Sequence, residues 1–316
     1  MMVKFLFFIK DLFTPPPPPS ASFGKLSPIV FPNQIKENLI YSIGTLTGYL
    51  PSFSDRAKVY KIIIDPPTLL GLEKTREKVS KIGFTTSGAQ ISEDTYQWIN
   101  QDAIQKIMTI NIFSSNFTLS SSYLLSKNLA NFLGTDEVES TVDTTKTFLS
   151  ELSLLPTDIN ETKTKTTLYS IAEGSLVPTS KISNAEIVRV DFFQKDIDKL
   201  PIYYEKGIFS TLDFLVGKEN GNLEVLSANF LHRKISDSTS TYAIKTAAQA
   251  YSELQNGKAY IANKDSNTVE FTIKNVFLAY YIGETDQDYL MPVIVFEGSN
   301  NFIAYVSAVK DEWISN

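Results

Sequence analysis

The sequence predicts an α+β protein made of tandem modules, each a helix packed on an antiparallel β-meander. Three observations carry that expectation. Hydrophobic residues make up 43% and charged residues 20% of the 316, the proportions of a chain that buries a core. The 15 Tyr and 21 Phe are interleaved with Ser, Thr and Asn, a mixture that favours strands joined by polar turns. Three amphipathic segments, LEKTREKVSKIGF, VDTTKTFLSELSLL and IKTAAQAYSELQNG, each precede strand-like runs, as a degenerate internal repeat would.

The amino terminus reads separately. The run Phe5 to Ile9 is shorter than the roughly 20 apolar residues a bilayer span needs, and Lys4, Lys10 and Asp11 bracket it. It lacks the apolar core and small-residue cleavage site of a signal peptide. Three readings stay open: the outer end of a transmembrane helix, a short interfacial anchor, or an apolar end docked on the core. Pro15 to Pro19 form polyproline II, a stiff spacer of about 3 Å per residue. Residues 1–14 are therefore read as a partial membrane anchor or apolar N-terminus, and 15–35 as a Pro-rich stalk that stays extended through Pro28 and Pro32.

Folded structure is expected from Lys36. ENLIYSIGTLTGYLP and AKVYKIIID read as strands. PPTLLGLEKTREKVSKIGF reads as a helix that the Pro66-Pro67 pair keeps from starting earlier, with Thr68 as N-cap and Gly83 in the C′ position. Leu69, Leu72, Val79 and Ile82 form its apolar stripe; Lys74, Arg76, Glu77, Lys78 and Lys81 cover the rest, with Glu77 and Lys81 spaced for an ion pair. AQISEDTYQWIN and QKIMTINIFSSNFTLSSS follow as strands, completing a first module over 36–126. A second, larger region spans 127–316, with a sub-boundary near 236. In it SKNLANFLG reads as a short helix ending at Gly134, VESTVDTTKTFLSELSLLP as a longer one stopped before Pro156, and TKTKTTLYSI and AEIVRVDFFQ as strands. STLDFLVGKENGNLEVLSANFLHRKI is a hairpin turning on ENGN. After the helix IKTAAQAYSELQNG come the strands AYIAN, TVEFTIKNVFLAYYIG, LMPVIVFEG and NFIAYVSAV.

The last third resembles the C-terminal part of membrane-anchored extracytoplasmic proteins of the YycI/YycH and PepSY-like type. The residues that carry this are Ala250 and Tyr251 on the helix, the Tyr280–Tyr281 pair, the Pro-led strand from Pro292 to Phe296, and the strand Phe302 to Val306. TREKVSKIGF with TYQWINQDAIQKIMTINIFSSNF is similar to the helix-plus-meander of one such module. The resemblance implies one N-terminal anchor and a domain outside the membrane that works by protein contact, for example on a sensor kinase.

Composition excludes several chemistries. With no cysteine, disulfides, thiolate catalysis and cysteine zinc sites are absent. The net charge is −6 with no block of Lys or Arg, so nucleic acid has no electrostatic footprint. No cofactor motif is present; GKENGN leads into no helix that would hold a phosphate. The one histidine, His232, shares a strand face with Leu226, Ala228 and Phe230 and reads as a half-buried side chain bonded to a neighbour. Asp196 with Asp198 and Asp286 with Asp288 are D-x-D pairs without a calcium loop around them. The sequons at Asn116 and Asn160 have a role only in a host that glycosylates. Tyr280, Tyr281, Phe296 and Tyr305, with Trp313, read as core, or, where exposed, as an interaction patch. The expected function is a non-enzymatic, extracytoplasmic, membrane-tethered regulatory or protein-interaction module. The alternatives are a cell-wall or small-ligand-binding domain and, behind it, a carboxylate-based hydrolase.

Overall fold

The computed structural model describes residues 20–34, 37–66, 68–100 and 104–315. The expected anchor over 1–14 and the Pro15 to Pro19 tract lie outside the described residues. In place of tandem α+β modules, the chain forms a mostly β structure of two large sheets with three α-helices among the described residues. The helices lie near the expected places, but the strands do not stay with them. Periodicity marks which residues are strand, whereas pairing is decided by partners far away in sequence.

The first sheet has eight strands, seven drawn from the two ends of the chain and one from its middle. They are β1 (Ile40–Ile43), β2 (Arg56–Ile62), β11 (Ile202–Tyr204), β14 (Ile235–Ala243), β15 (Tyr260–Asn263), β16 (Glu270–Ile282), β17 (Tyr289–Gly298) and β18 (Ile303–Ser307). The second has ten, all from the middle: β3 (Ala89–Gln90), β4 (Thr95–Asn100), β5 (Lys106–Asn111), β6 (Phe117–Ser121), β7 (Leu129–Ala130), β8 (Lys165–Ala172), β9 (Ser175–Pro178), β10 (Ile187–Phe192), β12 (Leu212–Glu219) and β13 (Asn222–Phe230). The second sheet is thus inserted between β2 and β14, which pair with each other. The expected break at 126 falls within it, because β6 pairs with β13. SKNLANFLG is not a helix: its Leu129 and Ala130 pair with Glu219 and Lys218 of β12.

Helices α1 (Gly71–Ser80) and α2 (Thr135–Glu151) cover one face of the ten-stranded sheet. Val79, Leu149 and Leu152 pack there on Trp98, Met108, Val188, Val190 and Phe214. Leu72 and Ile82 join this core from the expected stripe, but Leu69 precedes the helix and is fully exposed. The N-cap position is Leu70 rather than Thr68, with no side-chain cap. Glu73 pairs with Arg76 at 2.9 Å. The buried Thr141 and Thr145 of α2 donate their hydroxyls to the helix's own carbonyls of Val138 and Thr141, which satisfies them without an outside partner. Helix α3 (Ala247–Gln255) starts with a capping box between Thr246 and Gln249 and lays Ala247, Ala250 and Leu254 on Phe271, Phe296 and Phe302 of the eight-stranded sheet. The β12–β13 hairpin turns on Asn220 (φ +49°) and Gly221 (φ +88°), the two left-handed positions a type I′ turn requires.

Pro292 sits inside β17, where a missing N–H would normally break a ladder. On that side β17 hands over from β2, paired at Tyr289 and Leu290, to β18, paired from Val293. The proline falls at the handover, so no ladder bond is lost.

Residues 20–34, expected as stalk, are extended but packed on the body. Leu26 is fully buried. Its N–H donates to the Trp313 carbonyl and its own carbonyl accepts from the Ser315 N–H, both at 2.8 Å. The Tyr242 hydroxyl donates to the Gly24 carbonyl at 2.9 Å.

Candidate functional site

The two crossings between the sheets run side by side. The chain leaves β2 through Ile63, Ile64 and Asp65 and returns to β14 through His232, Arg233 and Lys234. The Ile63 N–H donates to the Lys234 carbonyl at 2.8 Å, which continues the β2–β14 pairing across the gap. A cleft of about 860 Å³ opens here. Its other walls are the β5–β6 turn (residues 111–116), the exit of α2 (residues 153–157), Lys78 of α1, and the turn before β17 (residues 286–288). Volumes of this size are typical of ligand sites, and junctions between folded units are where such sites form.

Local sequence shapes each wall. In the β5–β6 turn the Asn111 carboxamide oxygen accepts from the N–H groups of Phe113 and Ser114, and Ser115 takes φ +58° to close the turn. Ser153 ends α2 at φ +54°, and the Leu154 N–H returns to the Leu149 carbonyl at 2.8 Å, a left-handed helix stop made without glycine.

His232 does not stand alone. Its Nε2 lies 2.8 Å from Asp158 Oδ1, and its backbone N–H donates to Asn116 Oδ1 at 3.1 Å. The second Asp158 oxygen accepts from Gln194 Nε2 at 2.7 Å, and the same amide group donates to the Arg233 carbonyl at 3.0 Å. Burial pushes the Asp158 carboxyl up, but the hydrogen bonds from His232 and Gln194 outweigh it and hold the group below the usual carboxylate range. Arg233 donates to the Thr285 carbonyl at 2.8 Å and to Asp286 at 3.2 Å. Lys234 meets Asp65 at 2.6 Å. Among the described residues, Gln194 Oε1, Arg233 Nε and Gln287 Nε2 are buried without a hydrogen-bond partner.

The residues singled out from sequence fall elsewhere. Tyr280, Tyr281, Phe296 and Tyr305 are at most 1% exposed. They are core and form no interaction patch: β16, β17 and β18 are central strands covered on both faces. The D-x-D pairs do not act together. Asp196 meets Lys163 at 2.6 Å, Asp198 takes Lys58 and Tyr60, Asp286 takes Arg233, and Asp288 accepts from Ser27. Sequence reading passed over Asp158, Gln194 and Lys78. For Lys78 the available signal is the Lys74, Lys78, Lys81 spacing on one helix face. For the other two nothing local separates them from ordinary polar residues.

A second ionic cluster lies on the ten-stranded sheet. Arg189 of β10 holds Asp191 through two 2.9 Å bonds and approaches Asp213 of β12 at 3.5 Å, under the Phe209 ring at 4.4 Å. Asp191 and Asp213 are cross-strand partners. Desolvation, with the Asp191 charge added to it, outweighs the Arg189 attraction and pushes Asp213 up to about 6. A carboxyl that holds its proton beside a second carboxylate suits acid–base chemistry, but Asp191 is fully buried and cannot meet a substrate. The cluster has a stability signature instead. Asp213 keeps its proton in the folded state to higher pH than the ordinary value of 3.8, so it lowers stability progressively as pH rises from about 4 to about 6, and fully above that. Asp213→Asn is expected to match the parent at pH 3.5 and to exceed it at pH 7.5 by about 1–3 kcal/mol. Urea unfolding at the two pH values measures this; an equal or lower stability at pH 7.5 would refute it.

Among the described residues no group of three or more Asp, Glu and His side chains converges as a metal site, and no helix is long and apolar enough to cross a membrane. No family model and no curated protein matches the chain. Among solved structures it is similar to a crystal structure of an uncharacterized protein from Eubacterium rectale, at 12% identity over 85% of this chain and 87% of that one, with a TM-score of 0.37. A likeness of that degree carries no argument about fold or function.

Proposed function

We propose that this chain is a non-enzymatic binding module that works outside the cytoplasm, tethered by its N-terminus, and that it holds a ligand in the cleft between its two sheets. The observation that carries the reading is the cleft itself, walled by both crossings and by elements of both sheets. A ligand seated there touches both sheets at once, which gives a binding event a route to a change in their relative packing and so to a membrane partner. The protein-contact version that relied on exposed aromatic residues loses its residues, since all four are buried. The absence of cysteine, the resemblance to anchored extracytoplasmic proteins, and the apolar run followed by five prolines support the location.

Two measurements test the reading. A thermal-shift panel of glycans, peptides and small organic acids is expected to yield one class that raises Tm by about 5 °C at a hundredfold excess over Kd. Ser114→Trp, which fills the mouth from an exposed lining position, is expected to abolish that response. A panel with no stabilising class, or one that stabilises both proteins alike, refutes the cleft. For location, the cysteine-free chain permits a single reporter: Ser238→Cys, on an exposed position of β14, is expected to react with a membrane-impermeant maleimide on intact cells. Labelling only after lysis refutes an extracytoplasmic site.

A further inference from the structure

We infer that the cleft takes a small amphiphilic anion, its acid group held at Lys78 and its apolar body laid along Ile63, Ile64, Phe113 and Leu155. The inference rests on the cleft being a binding site and adds the chemical class of what binds.

Most of the cations that line the cleft already hold a carboxylate. Arg233 is tied to Asp286, Lys234 to Asp65 and His232 to Asp158. The Asp94 and Asp288 carboxylates keep their charge and take neutral donors only, Ser92, Thr95 and Asn111 for the first and Ser27 for the second. Lys78 has no hydrogen-bond or ion-pair partner among the described residues, although it is partly buried against the cleft wall. Its surroundings make this costly. Lys74 and Lys81 stand one turn away on either side of the same helix face, and Lys234 faces it across the gap; burial first, then these three charges, press its ammonium toward the neutral form, against a weaker pull from Asp65. An anion entering the cleft meets an ammonium that need give up no existing partner, in a field that neighbouring lysines strengthen.

Ile64 is 71%, Ile63 47% and Leu155 39% exposed, three large aliphatic side chains left in water at one mouth. Scattered exposed residues need no cause, but three large aliphatic side chains lining one cleft beside an unpaired ammonium do. Ile63 and Ile64 are adjacent on one crossing, and Phe113 is held beside the start of α1, where a side chain on Gly71 would touch it. A wholly polar ligand would leave this lip uncovered, and a wholly apolar one would bury Lys78 without a counter-charge.

The test uses octanoate as the amphiphilic acid and octanol as its uncharged counterpart, titrated by calorimetry into the whole chain. Octanoate is expected to bind at least about tenfold more tightly than octanol, the value of one charge-assisted hydrogen bond. Lys78→Gln is expected to erase that preference, Lys78→Arg to keep it, and Lys127→Gln, at an exposed position outside the cleft lining, to leave it unchanged. Ile64→Ser is expected to weaken both ligands. Circular dichroism of each variant confirms that it is folded. Equal binding of acid and alcohol, no binding of either, or an unchanged preference in Lys78→Gln overturns the proposal. If octanoate fails while a neutral glycan or peptide stabilises the parent but not Ser114→Trp, the ligand class falls and the cleft reading stands; silence of every class removes both. Sedimentation with phosphatidylglycerol vesicles separates a soluble acid from a lipid headgroup. The protein is expected to stay in the supernatant, and pelleting that Lys78→Gln abolishes would assign a membrane surface and overturn a small-molecule site.

Discussion

Tyr305→Ala is expected to destabilise the protein by about 3–5 kcal/mol, the range for deleting a buried aromatic side chain. Tyr305 is fully buried, with its ring centroid 5.9 Å from Tyr203, 6.0 Å from Tyr260 and 5.7 Å from Tyr281. Such ring pairs add to the area they bury, and the cavity left behind is lined by other rigid rings that relax poorly. Its hydroxyl donates to the Tyr204 carbonyl at 3.0 Å, which ties β18 to β11 across the core. Tyr305→Phe keeps the ring and removes only that bond, so about 1–2 kcal/mol is expected. Urea unfolding of both variants checks the pair. The experiment also separates core from surface: a residue on an interaction patch can be truncated without loss of stability. A Tyr305→Ala protein within 1 kcal/mol of the parent would return the aromatic set to the surface.

What the sequence made legible was local. The strands β16, β17 and β18 follow from β-branched and aromatic runs, the β12–β13 turn from Asn-Gly, and α3 from the amphipathic segment IKTAAQAYSELQNG. The fold class was not legible, because it depends on long-range pairing. AKVYKIIID alternates equally well whether it pairs with its neighbour ENLIYSI or, as it does, with β14 about 180 residues later. Loop closure over such distances costs only logarithmically more than over short ones, so nothing in a window of sequence penalises the distant partner. The short helix expected over SKNLANFLG failed for a related reason: its few apolar residues suit either state, and the end of β12 that runs past β10, at Lys218 and Glu219, takes Ala130 and Leu129 and decides. The site was hidden by the same logic. Asp158, Gln194, His232 and Lys78 lie on four separate segments, and only the pairing of the two crossings brings them together.

Asp191→Ala is expected to cost about 3–5 kcal/mol, because it removes one partner of a buried ion pair and leaves the other. Arg189 spends two of its donors on Asp191, and the Phe209 ring over the guanidinium limits its escape to solvent. Asp191 Oδ1 also accepts from the buried Ser210 N–H at 3.2 Å, which would be left without an acceptor. The neighbouring Asp213 makes the prediction sharper than a single stability loss. With Asp191 in place, Asp213 is a second carboxylate beside one that is already paired, and its removal stabilises at neutral pH. With Asp191 gone, Asp213 becomes the one carboxylate left to Arg189. The like charge that helped to hold its proton disappears at the same time. Asp213→Asn is therefore expected to stabilise the parent at pH 7.5 and to destabilise Asp191→Ala, a reversal of sign between the two backgrounds. A double-mutant cycle by urea unfolding at that pH reads the coupling directly. If Asp213→Asn shifts both backgrounds in the same direction, the two carboxylates do not compete for Arg189 and act independently of one another.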